Sequence, residues 1–344
     1  MIKIGLIGTG RVAEHYVQIS KILKDDILIQ AVYDRDRDIC SNFAKKHELN
    51  YLNNYDQFIN QDIDCVFVLT PSGSHFEVAK SVLKLGISVV IEKPVVLNIS
   101  EGIELEKLAK KNQVFVRSIF QNRLNKPMVL AKSLIGKESL GRPLLGSVKL
   151  YWCREQAYYE DEWHGTWGMD GGVLNQQAIH HLDAINWLIG EFDTVYGMGT
   201  NLINILEAED TFSALLFRDD GLQVTFQATT ALRPSDKLAE LHIVFEKGEI
   251  KIGGIALNNL EELVINGEKF DKIYCSSHSE TVENGYGNGH HSMFKNYTNI
   301  ENLGVSISEA ISTVKLVHSL YASWETNSEV NCIDMKKSNK LGVK

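Results

Sequence analysis

Residues 170–190 (DGGVLNQQAIHHLDAINWLIG) place two histidines, two glutamines and an aspartate in an otherwise apolar segment. Such a concentration of polar side chains on a buried helix forms either a hydrogen-bond network or a path for protons. On a continuous helix Gln176, His180 and Asp183 share one face, at spacings of four and three residues. The adjacent His181 points about 100° away from His180. We therefore predict that His180 is the proton-transfer candidate and that His181 is structural.

A second candidate is Lys93, at the end of the strand pattern V-V-I-E-K-P, where the following proline restricts its backbone. Histidine is suited to accept a proton near neutral pH, and lysine becomes so when burial or a nearby cation lowers its pKa. The alternatives are a core histidine bonded to a backbone carbonyl and a surface lysine in a turn. Asp183 either orients His180 or bonds to neighbouring backbone, and the second is favoured.

The first third of the chain must position Lys93. Short apolar runs alternate there with helical patterns, and the second of these helices ends near Gly86. Alternation of this kind predicts a parallel sheet with right-handed crossovers. The expected strands are Ile2–Ile7, Ile27–Tyr33, 65–69 and 89–91, and the first helix is expected at 11–23.

The sequence G-T-G-R-V-A, residues 8–13, follows the first strand and opens the first helix. Its glycines allow a tight turn and a close approach of backbone to a pyrophosphate. Asp34 ends the second strand, where a carboxylate can accept hydrogen bonds from a ribose 2′-hydroxyl. This carboxylate repels a 2′-phosphate, so NAD is favoured over NADP, although Arg35 weakens the preference. The predicted dinucleotide contacts are Gly8, Thr9, Gly10, Arg11, Val12, Asp34 and Arg35.

Beyond residue 120 the periodicity changes, which predicts two domains, 1–120 for the dinucleotide and 121–344 for the substrate and oligomer contacts. Alternating apolar residues indicate half-buried strands, and Asn266-Gly267 is a hairpin signal. A late helix has apolar residues at helical spacing and is expected to pack back on the body, against the first domain. The strand patterns lie at 148–152, 212–217, 222–228 and 241–245.

The composition limits the class of protein. The 344 residues are 44% hydrophobic and 23% charged with a formal net charge of −9, as in soluble globular proteins. The charge argues against a broad nucleic-acid or anionic-membrane surface. The apolar runs are too short for a secretory leader or a membrane span. Five scattered cysteines without a C-x-x-C pair are typical of reduced thiols, and a cytoplasmic protein is expected.

These motifs resemble the glucose–fructose oxidoreductase, inositol dehydrogenase and rhizopine-catabolism (Gfo/Idh/MocA) family of NAD(P)-dependent sugar oxidoreductases over nearly the whole chain. The resemblance implies an α/β fold with a Rossmann domain followed by an α+β domain whose large, mostly antiparallel sheet often makes the oligomer contact. We accordingly expect a homodimer or homotetramer. The matching segments are the fingerprint at 8–13, T-P-S-G-S-H-F-E-V-A (70–79), E-K-P (92–94), Q-N-R-L-N-K-P (121–127), the helix at 171–190 and G-N-G-H-H (287–291). The further cofactor contacts it implies are Thr70, Pro71, Ser72, His75, Glu92, Lys93, Pro94 and Gln121.

In the resembled family the helix usually carries an aspartate where this chain has Gln176, and a histidine at the position of His180. An amide cannot act as a base, so one member of the usual relay is absent. We predict His180 as the general base and Lys93 as the group that orients and polarises the oxygen, with the reverse assignment left open. No metal is expected, because a zinc site built from His164, His181 or His290 lacks an i,i+4 ligand pair.

The segment 151–172 is rich in aromatic rings, which offer platforms for sugar or base faces, and Arg154 could meet a phosphate or carboxylate. The resemblance extends to the nucleotide-sugar branch and predicts oxidation of a ring hydroxyl, at C3, of a UDP-N-acetyl-hexosamine or its uronate. The alternatives are a dehydrogenase of a free polyol or sugar, such as an inositol, and a non-catalytic dinucleotide-sensing regulator. The predicted substrate contacts are Lys93, Arg123, Arg154, Tyr158, Trp163, Trp167, Gln176 and His180.

Overall fold

The computed structural model describes residues 1–52, 54–281, 288–295, 299–334 and 336–343. By contact clustering the chain divides into a first unit, Met1–Phe120 with His290–Ile311, and a second unit, Gln121–Gly289 with Ser312–Lys344. The sequence places a boundary at residue 120 and all later residues in one domain. In the structure residues 290–311 belong with the first unit instead.

Residues 1–120 alternate strands and helices. The strands are β1 (Ile2–Ile7), β2 (Ile27–Tyr33), β3 (Cys65–Val68), β4 (Ser88–Ile91) and β5 (Val116–Ser118). The helices are α1 (Arg11–Ile22), α2 (Arg37–His47), α3 (Tyr55–Ile59), α4 (His75–Lys84) and α5 (Ile99–Asn112).

Strands dominate the remainder. They are β6 (Pro143–Tyr151), β7 (Thr194–Thr200), β8 (Thr211–Phe217), β9 (Gln223–Thr229), β10 (Leu238–Phe245), β11 (Gly248–Gly253), β12 (Asn259–Ile265), β13 (Glu268–Lys269), β14 (Val305–Ser306) and β15 (Val330–Asn331). The helices are α6 (Lys126–Gly136), α7 (Val173–Gln176), α8 (Ile179–Ile189), α9 (Lys272–Ser277), α10 (Gly289–Lys295) and α11 (Ile307–Thr326). Short 3-10 helices lie at Ser72–Ser74, Gln121–Leu124, Gln156–Tyr159 and Ile300–Asn302.

The sheet of the first unit has the strand order β14-β5-β4-β3-β1-β2. Strands β1 to β5 are parallel, and β14 joins the edge antiparallel to β5. All four residues of β3 and of β4 are buried, as expected for strands covered on both faces. The chain leaves β1 on one side for β2 and returns to its other side as β3, which makes the carboxyl end of β1 a topological switch point. The predicted parallel sheet is confirmed.

The second unit contains a nine-stranded sheet of order β13-β12-β11-β10-β6-β9-β8-β7-β15. The β6–β9 pair is parallel and the other neighbouring pairs are antiparallel, so the predicted mostly antiparallel sheet is confirmed. Asn266 and Gly267 connect β12 to β13 with φ values of +53° and +80°, the backbone of the predicted hairpin turn. In β8 and β9 buried and exposed residues alternate, which leaves one face of the sheet to the helices.

Helix α11 corresponds to the predicted late helix. Val317, Leu320 and Tyr321 are fully buried on it, which accounts for the apolar spacing in the sequence. Its first residues, up to Ile311, cluster with the first unit and the rest with the second. Within the described residues, none of the helices has the length and apolar character that a membrane span requires.

Candidate active site

The glycine-rich turn between β1 and α1 has the geometry that a pyrophosphate requires. Gly8 has a φ of +101°, and a Cβ there would lie 2.7 Å from the carbonyl carbon and oxygen of Leu69, so no other residue fits. A Cβ on Gly10 would meet no described atom within 4 Å, which leaves open space beside the first turn of α1. Ala13 is fully buried where the helix packs on the sheet. The turn therefore accommodates a phosphate group at the N-terminus of α1.

Asp34 lies against this turn. One oxygen of its carboxylate accepts hydrogen bonds from the Thr9 backbone N–H at 2.8 Å and from the Thr9 hydroxyl at 3.0 Å. The other oxygen accepts from the backbone N–H of Asp36 at 3.1 Å. These contacts hold the carboxylate beside the turn, where the sequence expects the ribose of a dinucleotide. The remaining predicted contacts of this region, Arg11, Val12 and Arg35, are half-buried or exposed.

Glu92, in the E-K-P tripeptide after β4, is buried within the first unit. Its Oε1 accepts a hydrogen bond from the Tyr16 hydroxyl at 2.9 Å and lies 3.4 Å from Nε2 of His290. Burial by itself would raise the pKa of Glu92. Its effect is outweighed by the hydrogen bond and charge of His290, by the charge of Lys93 and by the hydrogen bond from Tyr16. The pKa of Glu92 is consequently below its ordinary value, and the carboxylate is charged beside the half-buried Lys93.

Tyr16 and His290 both contact Glu92, and the sequence reasoning gave neither of them a role beside the E-K-P tripeptide. Tyr16 lies at the helical spacing of a core residue, and the neighbouring sequence does not indicate that its hydroxyl binds Glu92, 76 residues further on. His290 belongs to the G-N-G-H-H segment, so the resemblance marked it without giving it a role; Gly287 of that segment lies outside the described residues. His15 contacts His290 edge-on at 4.9 Å between ring centroids, and burial with the charge of His290 lowers the pKa of His15 to about 4.

His75 joins two loops of the first unit. Its Nδ1 lies 2.7 Å from the carbonyl oxygen of Pro94, and its Nε2 lies 2.8 Å from that of Thr70. Burial lowers the pKa of His75, so the ring is neutral and donates to one carbonyl at a time. His75 thereby ties the segment that starts at Thr70, with Pro71 and the buried Ser72, to the end of the E-K-P tripeptide. Its contact with the cofactor stays a prediction.

The polar segment 170–190 differs from the continuous helix that the sequence predicts. The backbone N–H of Ala178 donates to the carbonyl of Val173, five residues back, and that of His181 donates to Ala178, three residues back. This change of hydrogen-bond spacing divides the segment into α7 and α8. Gln176 and His180 thus lie on different helices, and their common face stays a prediction. His180 and Asp183 remain on one helix.

The two adjacent histidines of α8 have different surroundings. His181 is 1% exposed, its ring meets that of Trp152 at 6.3 Å, and burial lowers its pKa to about 4. It is therefore a neutral core residue at physiological pH. His180 is half-buried. Of the two histidines, His180 is the one that a ligand can reach.

Arg123 has a partner inside the second unit. Its Nε and Nη2 donate to the two carboxylate oxygens of Asp183 at 2.8 and 2.7 Å, and the Thr313 hydroxyl donates to the same carboxylate at 2.9 Å. Both charged residues are buried, at 7% and 1% exposure. Asp183 therefore serves more than neighbouring backbone, and its orientation of His180 stays a prediction. The predicted contact of Arg123 with substrate stays a prediction, and its guanidinium is held by a bidentate ion pair.

The aromatic segment forms a stack of rings. The Arg154 guanidinium lies 5.0 Å from the ring centroid of Trp152 and 5.8 Å from that of Tyr158. The stack continues to His164 at 4.1 Å from Tyr158, and His164 stacks on Trp163 at 3.6 Å. Arg154 also donates to Asp236 at 3.0 Å, so its charge is already partly compensated.

Trp167 stands apart from that stack. Its ring packs against those of Tyr321 and Trp324 on α11, at 5.1 and 6.0 Å, and the Lys340 ammonium lies 5.4 Å from its centroid. Sequence proximity alone had grouped Trp167 with Trp163. The structure gives Trp167 a packing role, and its contact with substrate stays a prediction.

The last two sequence predictions concern Gln121 as a cofactor contact and the zinc site considered as an alternative. Gln121 is buried, and its Oε1 has no hydrogen-bond partner in the described part of the chain, so it can still accept one from a ligand. Across the described ranges no three His, Cys, Asp or Glu side chains come together as metal ligands. His290 instead contacts Glu92, and Nδ1 of His164 donates to the Asp161 carboxylate at 2.5 Å.

The parallel sheet, the glycine turn at its switch point and the carboxylate beside that turn define a dinucleotide-binding Rossmann protein. The chain belongs to the Gfo/Idh/MocA family: residues 2–120 match the family model described as an oxidoreductase family with an NAD-binding Rossmann fold, and residues 128–251 match the C-terminal domain of the same family. The resemblance, the fold class, the NAD cofactor and the enzyme class predicted from the sequence are confirmed.

Individual relatives show the same pattern. The chain is 28% identical over 253 residues to an uncharacterized oxidoreductase of Synechocystis sp., which covers 68% of this chain and 66% of that protein. It is 23% identical over 247 residues to myo-inositol 2-dehydrogenase of Thermotoga maritima, covering 70% and 72%. It is also similar to the WlbA dehydrogenase of Chromobacterium violaceum, solved in complex with NADH and UDP-GlcNAcA, with a TM-score of 0.87, 25% identity and coverage of 96% and 95%.

Proposed function

We propose that this protein is an NAD-dependent dehydrogenase of a nucleotide-diphosphate hexose and transfers a hydride from C3 of a UDP-N-acetyl-hexosamine or its uronate. The observation that carries the proposal is the similarity to the WlbA dehydrogenase, which extends over 96% of this chain at a TM-score of 0.87. The myo-inositol 2-dehydrogenase matches 70% of the chain, at lower identity. A nucleotide sugar is therefore favoured over a free polyol.

In this proposal two side chains act on the substrate hydroxyl group. Bound NAD supplies the nicotinamide carbon that accepts the hydride. His180 accepts the proton of the substrate hydroxyl, so that the C–H electron pair leaves as hydride while the C–O bond becomes a carbonyl. Lys93 donates a hydrogen bond to the same oxygen and stabilises its developing negative charge. Gln176 serves as a hydrogen-bonding partner of the sugar, since its amide cannot take up a proton.

The stack of Trp152, Arg154, Tyr158, His164 and Trp163 supports a substrate with a planar or sugar face. Aromatic rings bind such faces at low entropic cost because they are already rigid. Arg154 supplies positive charge at this stack for a phosphate or carboxylate, in competition with Asp236.

The substrate proposal predicts a selective NADH signal. Absorbance of NADH, followed with a UDP-N-acetyl-hexosamine, its uronate and free myo-inositol in turn, is expected to rise with a UDP sugar and stay at background with inositol. Turnover of inositol with none of either UDP sugar would contradict the proposed substrate. A dinucleotide that binds tightly without turnover of any of the three would favour the non-catalytic regulator.

The Asp34 carboxylate is expected to determine cofactor affinity. Asp34→Asn keeps an oxygen for the Thr9 N–H but removes the charge, and a charge-assisted hydrogen bond contributes about 1.5–3 kcal/mol. KM for NAD should therefore rise by about tenfold or more, with a smaller change for NADP. Steady-state kinetics with both dinucleotides measures this, and Asp25→Asn, which neutralises an exposed carboxylate, is the control. Equal changes in the two variants would exclude Asp34 from the cofactor site.

A further inference from the structure

The N-terminus of α7 is held by Glu209, which lies two residues before β8 and 35 positions after Leu174. The Glu209 backbone carbonyl accepts from the N–H of Val173 at 2.9 Å, and its Oε1 accepts from the N–H of Leu174 at 3.0 Å. Gly172, the residue before α7, has no side chain to cap the helix. One distant glutamate therefore satisfies the first two donors of the helix that carries Gln176.

The glycines of the D-G-G sequence make room for this contact. A Cβ on Gly172 would lie 2.2 Å from Oε2 of Glu209 and 2.3 Å from its carbonyl oxygen, so any larger residue would displace the glutamate. Gly171 has a φ of +78°. The Tyr321 hydroxyl accepts from the Gly172 N–H at 3.1 Å and donates to Oε1 of Glu209 at 3.0 Å. The loop before α7, the glutamate and helix α11 are thus bonded together.

Burial favours the neutral form of the Glu209 carboxyl group and outweighs the hydrogen bonds from Leu174 and Tyr321, which lower its pKa. Oε1 accepts both hydrogen bonds, while Oε2 has no partner among the described residues, so a proton is accommodated on Oε2. Glu209 is 0% exposed, and no Lys or Arg of the described chain forms an ion pair with it. The titratable groups that act on it are Tyr321 and Asp210, and Asp170 acts on Tyr321. Burial raises the pKa of Glu209 to about 8. Burial and the charge of Glu209 raise the pKa of Tyr321 as well.

We propose that Glu209 is a positioning residue that acts as a neutral carboxylic acid, holding α7 and, through the α7–α8 junction, setting the positions of Gln176 and His180. It makes no contact with the reacting atoms in this role. The proposal rests on the proposed function for its effect on turnover only, because its effect on folding requires no substrate. Loss of the proton places a charge in a fully buried site, which destabilises the folded structure around the start of α7.

The sign of the stability change follows from the two pKa values. In the unfolded chain the carboxyl ionises near its ordinary value of 4.5, whereas in the folded chain it stays neutral to about 8. The folded state therefore loses stability relative to the unfolded state as the pH rises from about 4.5 to about 8, and the loss is constant above that range. Glutamine, which is neutral at every pH and similar in shape, does not show this loss.

The experiment compares Glu209→Gln and Glu209→Leu with wild type and with Glu268→Gln, which neutralises an exposed carboxylate of the same unit. We expect the difference in Tm between Glu209→Gln and wild type to increase in favour of the variant from pH 5 to pH 8. The corresponding difference for Glu268→Gln should stay constant. Ionisation of Glu209 should lower the kcat of wild type as the pH approaches 8. Glu209→Gln should show no such fall and should keep kcat within about threefold at pH 7. Leucine, which accepts no hydrogen bond, should lower kcat more than about tenfold.

Two results would overturn the proposal. The first is a Tm difference between Glu209→Gln and wild type that does not change with pH, as for Glu268→Gln. The second is a kcat of Glu209→Gln at pH 7 that is as low as the kcat of Glu209→Leu. Should the leucine variant fail to fold, the pH series of the glutamine variant still decides. Absence of turnover in wild type would refute the proposed function and leave the Tm series valid, so the two failures are distinguishable.

Discussion

Replacement of Lys93 by methionine is expected to lower kcat for NADH formation by about 10²- to 10⁴-fold, the range for loss of a positioned acid–base or electrostatic group. Methionine is close to lysine in length but has no charge to stabilise the developing alkoxide. Glu92 keeps its bonds to Tyr16 and His290, so the strand end should stay in place. Steady-state kinetics and Tm together separate loss of chemistry from loss of fold.

His180→Ala is the companion variant and is expected to lower kcat over the same range of about 10²- to 10⁴-fold. The side chain that acts as base produces the acidic fall of kcat with pH, so the fall should disappear in His180→Ala and persist in Lys93→Met. The opposite result would reverse the two roles. Lys84→Met removes an exposed lysine and serves as control. Unchanged turnover in both active-site variants would refute the assignment altogether.

The parts of the fold that depend on local pattern could be predicted. The bounds of β1 and β2 coincide with their apolar runs, because most of the residues of both strands pack into the core. Gly8 could be recognised because its backbone conformation and the approach of Leu69 exclude every other residue. The Asn266-Gly267 turn followed from the same kind of local requirement.

The parts that depend on distant partners could not be predicted. No proline or glycine marks the break at Ala178, and the start of α7 is determined by Glu209, which local periodicity does not connect to it. The bond of Glu92 to His290 joins residues 198 positions apart. In each case the resemblance identified the segment, but the partner became visible only through the packing of elements remote in sequence.

Arg123 is the clearest example of this limit, since an arginine in a loop gives the same sequence signal whether it faces a ligand or a buried carboxylate. The bidentate pair with Asp183 predicts that Arg123→Met lowers the free energy of unfolding by about 3–5 kcal/mol, because the carboxylate stays buried without its cation. Unfolding in urea, followed by tryptophan fluorescence, measures this change. An Arg123→Met, Asp183→Leu double variant should lose less than the single variant, since both charges are then removed.

Arg142→Met provides the matched control. Arg142 pairs with Glu246 on the surface, where the two side chains are 47% and 46% exposed, and such a pair adds little to stability. If Arg123→Met unfolds no more easily than Arg142→Met but raises KM for the sugar substrate many-fold, the main role of Arg123 is not to stabilise the fold through its ion pair with Asp183. The substrate contact expected from the sequence would then be correct. A large loss of stability that the double variant partly restores identifies Arg123 as the structural support of α8, the helix that carries His180.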